Sequence, residues 1–212
     1  MTQFLNRRQW ALFASAVVLA TAQSAGWAQA VETPDALIQR IATQVMTTVK
    51  NDPAIAAGDM TKVVALVDTQ IMPHVNFTRM TASAVGRFWR QATPEQKNKL
   101  QAEFKTLLVR TYSGALGQVK DQTLSFKPFR AAPTDVEVVV RSELRGKGDP
   151  IQLDYRVEKT EGGWKIYDLN VLGVWLVETY RNQFAQEINT KGIDGLIAAL
   201  VERNRSNAAA KG

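Results

Sequence analysis

One imidazole and no thiol set the limits of the chemistry this chain can do. Among its 212 residues there is a single histidine, His74, and no cysteine. Disulfides, thiolate nucleophiles, CxxC redox pairs and thiolate-bound zinc or iron–sulfur centres are therefore excluded. One imidazole makes no His-rich metal site either. A Ser-His-Asp triad would have to be built on this histidine, which stands in Met72-Pro73-His74-Val75, a helix end that suits a surface or capping residue. Carboxylates are the remaining acid–base candidates. Asp154 and Asp168 alternate with apolar neighbours in two strand-like stretches, so both are expected to face solvent or a turn, and neither has a second acid or base paired with it in sequence. No catalytic or metal-binding residue is assigned, no cofactor is called for, and the chain reads as something other than an enzyme.

The elements that would position any site begin after a leader. Met1–Arg8 carries Arg7 and Arg8 and no acid, Trp10–Ala22 is apolar save for Ser15 and Thr21, and Ala28-Gln29-Ala30 supplies the small residues of a cleavage site. The apolar run is too short for a comfortable bilayer span of about 20 residues, so residues 1–30 read as a secretory signal cleaved after Ala30. Asn6-Arg7-Arg8-Gln9-Trp10 loosely resembles a twin-arginine address, yet two arginines ahead of an apolar segment are also common in general secretory signals, and the export route stays open. Cleavage removes two arginines and no acid, so a net charge of +6 falls to +4. The remaining basic residues are scattered, as at Arg87/Arg90 and Lys97/Lys99, which argues against a nucleic-acid partner. With 45% hydrophobic residues over its full length, the chain has the material for a core without disulfide staples.

The periodicity runs helix, strand, helix. Thr33-Pro34 opens a helix on Leu37, Ile38, Ile41, Val45 and Val49; Met60, Val63, Val64, Val67 and Ile71 mark a second, stopped by Pro73; a short third covers Phe77–Val85. Thr93-Pro94-Glu95-Gln96 is a capping box before Leu100, Phe104, Leu107, Leu108 and Leu116. The period then drops to 2. Val136–Leu144, Ile151–Glu158 and Trp164–Val171, parted by Gly146–Pro150 and Gly162-Gly163, predict an antiparallel meander, to which Thr123–Phe129 adds a fourth strand. Helical spacing returns in Leu176, Tyr180, Phe184 and Ile188, stops at Gly192, and resumes from Asp194. The expected fold is α+β: a curved antiparallel sheet of about four strands covered by helices, in one domain over residues 31–203, with 204–212 a flexible tail.

Three segments carry a resemblance. Ala84-Val85-Gly86-Arg87-Phe88-Trp89 leading into Ala92–Gln96, Tyr167-Asp168-Leu169 with Gly173-Val174, and Thr190-Lys191-Gly192-Ile193-Asp194-Gly195-Leu196 are together similar to the MlaC family of periplasmic phospholipid carriers, also described as toluene-tolerance proteins. Each segment alone is generic, while their order and spacing from about Thr33 to Arg203 are specific. The resemblance implies an NTF2-like fold with an apolar pocket between sheet and helices. It implies a monomeric carrier whose cargo is phospholipid, working with an inner-membrane ABC transporter complex and its substrate-binding component, and with an outer-membrane lipoprotein complex. One departure is Trp175, where family members often have a small residue, commonly serine. The same cone-shaped fold also hosts isomerases and dehydratases, which would use Asp154 or Asp168 as a base.

Facing arguments nominate the lining. Val138, Val140, Leu153, Tyr155, Val157 and Ile166 are expected to point under the helices, and Leu108, Tyr112, Leu116, Val174, Trp175 and Leu176 to close the space, with Trp175 narrowing it or covering its mouth.

Overall fold

Capping side chains and prolines fix where the helices start. A computed structural model describes residues 32–116, 121–146 and 148–209; the predicted leader over residues 1–30 lies outside them. Pro34 takes the first position of α1 (Pro34–Asn51). Asp52 accepts the Ala54 N–H at 3.0 Å to start α2 (Pro53–Ala56), and Asp59 accepts the Lys62 N–H at 3.1 Å to start α3 (Met60–Leu66). The sequence pattern carries this helix to Ile71. In the structure α3 instead loosens into a π turn over Val67–Ile71 and a 3₁₀ turn over Met72–His74. Pro73 lacks an N–H and its ring crowds the preceding turn, so the α ladder cannot run through it. Asn76 caps α4 (Phe77–Val85), and Gly86, at φ +64°, turns the chain into the 3₁₀ segment Gly86–Arg90. The predicted capping box is formed: Thr93 N–H donates to Gln96 Oε1 at 3.0 Å and Gln96 N–H to Thr93 Oγ1 at 3.2 Å, ahead of α5 (Pro94–Leu116).

The strands β1 (Thr123–Phe126), β2 (Glu137–Arg145), β3 (Ile151–Thr160), β4 (Gly163–Val171) and β5 (Val174–Trp175) pair in sequence order, all antiparallel. Four were expected; the fifth is a two-residue strand. It forms because Leu172 (φ +53°) and Gly173 (φ +85°) reverse the chain tightly enough for Trp175 to pair with Asn170. The register defines two faces. Val138, Val140, Ser142 and Leu144 stand opposite Val157, Tyr155, Leu153 and Ile151 on one; Val139, Arg141 and Glu143 stand opposite Arg156, Asp154 and Gln152 on the other. A register shift at Arg156/Val157 then changes the phase of β4, so that Ile166 pairs with Val157 but Leu169 pairs with Tyr155, and both meet the covered face.

The final helix, α6 (Leu176–Ala209), is broken at Gly192 (φ +72°, ψ −177°), where the sequence placed a helix end. The tail expected from Asn204 remains helical to Ala209. Asn204 itself is buried, with its amide donating to Glu103 Oε2 at 2.8 Å and to the Glu103 carbonyl at 3.0 Å, which anchors the last turns on α5. No helix of the described residues is long and apolar enough to cross a membrane.

Burial divides into three apolar clusters. The largest is helical, with Met80, Leu100, Phe104, Leu107, Tyr180, Phe184 and Leu196 from α4, α5 and α6. A second joins Leu37, Ile38 and Ile41 of α1 to Val140, Val157 and Ile166 of the sheet. The third collects Val49, Ile55, Val63 and Leu66 around Leu144 at the far end of β2. Every strand residue in them comes from the same face, so the helices cover one side of the sheet, as α+β patterning requires.

Candidate functional site

The covered face carries a row of apolar side chains that are only half-buried. Leu108, Tyr112 and Leu116 recur at i, i+4, i+8 and share one stripe of α5; Leu153 and Tyr155 share the covered face of β3; all five are partly exposed. They join the clusters at their margins. Leu108 and Tyr112 pack against the helical cluster, Tyr155 and Val138 against the α1–sheet cluster, and Leu116 and Leu153 against the third. The α5 stripe and the β3 stripe therefore converge where Leu116 and Leu153 meet one cluster. These side chains carry no charge. The surface's polar groups are hydroxyls: Ser142 Oγ donates to the Leu153 carbonyl at 3.2 Å, and burial pushes the Tyr155 phenol above its usual range while its side chain is hydrogen-bonded to Ser142. Burial also raises Tyr112. Such a surface can hold an apolar body.

The two aspartates lie elsewhere. Both were expected to face solvent, and both are buried, on the opposite face of the sheet. Alternation gave the right side; it could not show that arginines from neighbouring strands and the first turn of α6 lie over these carboxylates. Asp168, 1% exposed, accepts the Leu169 and Val177 N–H groups at 2.9 and 3.1 Å through Oδ1 and Arg156 Nη1 at 2.9 Å through Oδ2. Burial, opposed by these donors, raises its pKa above the ordinary carboxylate value. Its oxygens are engaged in starting α6 on β4. Asp154 Oδ2 accepts from Gln152 Nε2 at 2.8 Å and stands 3.9 Å from Arg141 Nε. His74 is half-buried, and burial, then Arg40 and Lys165, lower its pKa.

The nominated lining separates into three groups. Leu108, Tyr112, Leu116, Leu153, Tyr155 and Val138 are half-buried as described. Val140, Val157, Ile166 and Leu176 are at most 6% exposed and belong to the packed core behind them. Val174 and Trp175 are not with the rest. Val174 is 51% exposed at the β4–β5 turn, and Trp175, opposite Asn170, is on the outer face, its ring centre 3.9 Å from the Arg156 guanidinium. Trp175 thus neither narrows the covered space nor caps its mouth, because a two-residue strand after a tight turn reverses the facing that its apolar neighbours suggest. Beside it is a groove of about 250 Å³ lined by Gly173, Val174, Trp175, Glu178, Thr179 and Asn182, below the roughly 300–1,000 Å³ of typical ligand pockets. Facing arguments missed Leu169 and Val171 on β4 and Met46 on α1. The signal for the first two was present: the apolar alternation Trp164, Ile166 resumes out of phase at Leu169, Val171, which marks a bulge.

The segments that carried the resemblance hold elements together. Gln96 Nε2 donates to Asp194 Oδ1 at 2.8 Å, tying the first segment to the third, and Asp168 in the second starts α6. The model of the MlaC protein family matches residues 39–202, most of the chain, which therefore belongs to that family. Curated relatives include the toluene tolerance protein ttg2D of Pseudomonas putida, 29% identical over 108 residues that make up 51% of this chain and 50% of that protein. A second is the intermembrane phospholipid transport system binding protein MlaC of Haemophilus influenzae, 23% identical over 79% of this chain and 80% of the relative. The chain thus aligns with half the length of the first relative and four fifths of the second. Among solved structures, the phospholipid-binding protein from Ralstonia solanacearum in complex with a phospholipid matches with a TM-score of 0.80 and 50% identity, over 82% of this chain and 98% of that one. The fold is that of this family: an α+β sheet layered with helices.

Proposed function

We propose that this chain is a periplasmic phospholipid carrier whose cargo lies between α5 and the covered face of the sheet, against Leu108, Tyr112, Leu116, Leu153, Tyr155 and Val138, with Leu169 and Val171 continuing the β4 side. The observation that carries the reading is the half-buried apolar row drawn from three separate clusters, in a chain 50% identical to a structure that holds a phospholipid. Two acyl chains of roughly 30 methylenes, at about 0.8 kcal/mol each, face a barrier on the order of 20 kcal/mol in water. An apolar surface that replaces the bilayer removes most of it. Transfer is then close to neutral in apolar burial, so direction must come from partners.

The relatives' names and the predicted leader support the finer reading: a shuttle between the outer membrane and an inner-membrane ABC transporter complex, contributing to outer-membrane lipid asymmetry. Organic extraction of the purified mature protein followed by mass spectrometry should return about one phospholipid per chain. Repeatedly lipid-free preparations that take up none from vesicles would overturn the carrier reading. The enzyme alternative would use Asp154 or Asp168 as a base; both lie on the face away from this surface, Asp168 with both oxygens in hydrogen bonds and Asp154 with Oδ2 accepting from Gln152.

A further inference from the structure

We infer that the outer face of the sheet at the β4–β5 turn is a docking surface for an anionic lipid bilayer, with Leu172 as its inserting residue and Lys127, Arg141 and Arg145 as its basic fringe. Leu172 is the starting observation. It is the one non-glycine residue with positive φ (+53°) among those described, and it is 64% exposed. A left-handed leucine is strained where asparagine or glycine would not be, and an exposed one gains little from packing. Neither conformation nor core explains a leucine here. Val174, 51% exposed, and Trp175 adjoin it, so the turn presents three apolar side chains in four residues.

The charges next to it are layered. The Leu172 N–H donates to the Gln152 carbonyl at 3.0 Å, and Gln152 pairs with Glu143, which Arg141 and Arg145 flank on β2. At this end of the face the acids are sunk and the bases project, whereas Glu137, half exposed, stands at the opposite end of β2 and is paired with Arg79. Glu143, Asp154 and Asp168 have side chains 12%, 8% and 1% exposed, against 48% for Lys127, 59% for Arg141 and 59% for Arg145. Glu178, beside the Trp175 groove, is an acid on the flank. None of the apolar clusters among the described residues includes a strand residue from this face; α6 meets it at Asp168 and Arg79 of α4 reaches it at Glu137 and Glu158, while Lys127, Arg141 and Arg145 stay about half exposed. Long basic side chains around an inserting leucine, with an amphipathic tryptophan at the level between, fit a fluid, negatively charged lipid surface; they ask for no single partner shape. The placement is also continuous with the cargo surface. Leu172 follows Val171, which pairs with Leu153, where the α5 and β3 stripes converge. The inference takes the carrier reading as its frame, but vesicle binding is measured apart from bound lipid.

The test is flotation of the mature chain with vesicles of 30% phosphatidylglycerol in phosphatidylethanolamine, against phosphatidylcholine vesicles, at low and high salt. The expected result is binding to the anionic vesicles alone, lost at 0.5 M salt. Leu172→Gly should weaken it about fivefold while the thermal midpoint is unchanged or raised, because glycine relieves the backbone. Arg141→Gln with Arg145→Gln should weaken it about 25-fold, at about fivefold per basic residue near the surface, with lipid content unaltered. Absence of binding by the unmutated chain, or binding indifferent to both variants, would overturn the inference. So would variants that bind vesicles normally yet fail in cells, an outcome that would assign the face to an acidic protein surface. An empty chain that still floats with anionic vesicles would remove the cargo and keep the docking.

Discussion

Asp168→Ala is the sharpest single perturbation the structure offers. The carboxylate is 1% exposed, and its removal strands the Leu169 N–H, the Val177 N–H and Arg156 Nη1, which now donate to it at 2.9, 3.1 and 2.9 Å. Val177, at 5% exposure, has no water to turn to. Losing a helix-start acceptor costs about 1–2 kcal/mol, and an additional buried unpaired donor about 1–3 kcal/mol. Arg156, about one-third exposed, regains water and adds little. The sum is about 2–5 kcal/mol. For a domain of this size, with about 2–4 °C per kcal/mol, the thermal midpoint followed by circular dichroism should fall by roughly 10 °C. Asp168→Asn keeps an oxygen for the backbone donors but turns an amide toward the guanidinium, and should cost about half as much. In the pair with Arg156→Ala, most of the penalty should persist without the arginine, since the backbone donors carry it. A loss below about 0.5 kcal/mol for Asp168→Ala would refute the account of Asp168 as the fastening between β4 and α6.

Two further expectations concern the covered face and the alkaline limb. Leu153→Trp extends a half-buried side chain into the space between β3 and α5 and should cut extractable lipid by more than half with a small change in midpoint. Val140→Trp, at a site 1% exposed within the α1–sheet cluster, should instead destabilise by about 1–3 kcal/mol through overpacking; normal lipid content in Leu153→Trp would show that cargo lies elsewhere. All four tyrosines, Tyr112, Tyr155, Tyr167 and Tyr180, are held above their ordinary value, each first by burial. The folded state keeps these phenol protons more tightly than the unfolded chain, so their contribution is fully present below about pH 10 and lost as pH rises through the folded values. Tyrosinate absorbance at 295 nm should therefore grow together with unfolding; full ionisation of the phenols in a still-folded protein near pH 10 would contradict this.

The parts of the fold governed by local rules were legible in the sequence. Pro34, the Thr93–Gln96 box, Gly86 and Gly192 act over one turn of chain, and each terminates or starts its helix where the residues say. Alternation along β2 and β3 gave the correct covered face because their mutual register runs unbroken from Glu137 opposite Glu158 to Leu144 opposite Ile151, and the register shift falls in the pairing of β3 with β4. What stayed hidden depended on partners distant in sequence. Asp154 and Asp168 read as exposed because the arginines that shield them come from neighbouring strands. Trp175 read as part of the lining because apolar character says nothing about a strand two residues long. The distinction between Val140, packed solid, and Leu153, left half-open, rests on which helix arrives above each, and no period in β2 or β3 encodes that.

The division of the interior into three clusters bears on what an empty protein would be. Under the carrier reading the acyl chains touch the margins of all three, so the cargo is the keystone of an otherwise partitioned core. An emptied chain would then lose cohesion along its seams before any one cluster melted, and hydrogen exchange would speed first in α5 around Leu108–Leu116 and in β3 around Leu153–Tyr155. Selection on those positions would favour side chains that pack adequately against a guest and poorly against one another, and replacements that let them close on themselves would make a sturdier protein and a worse carrier.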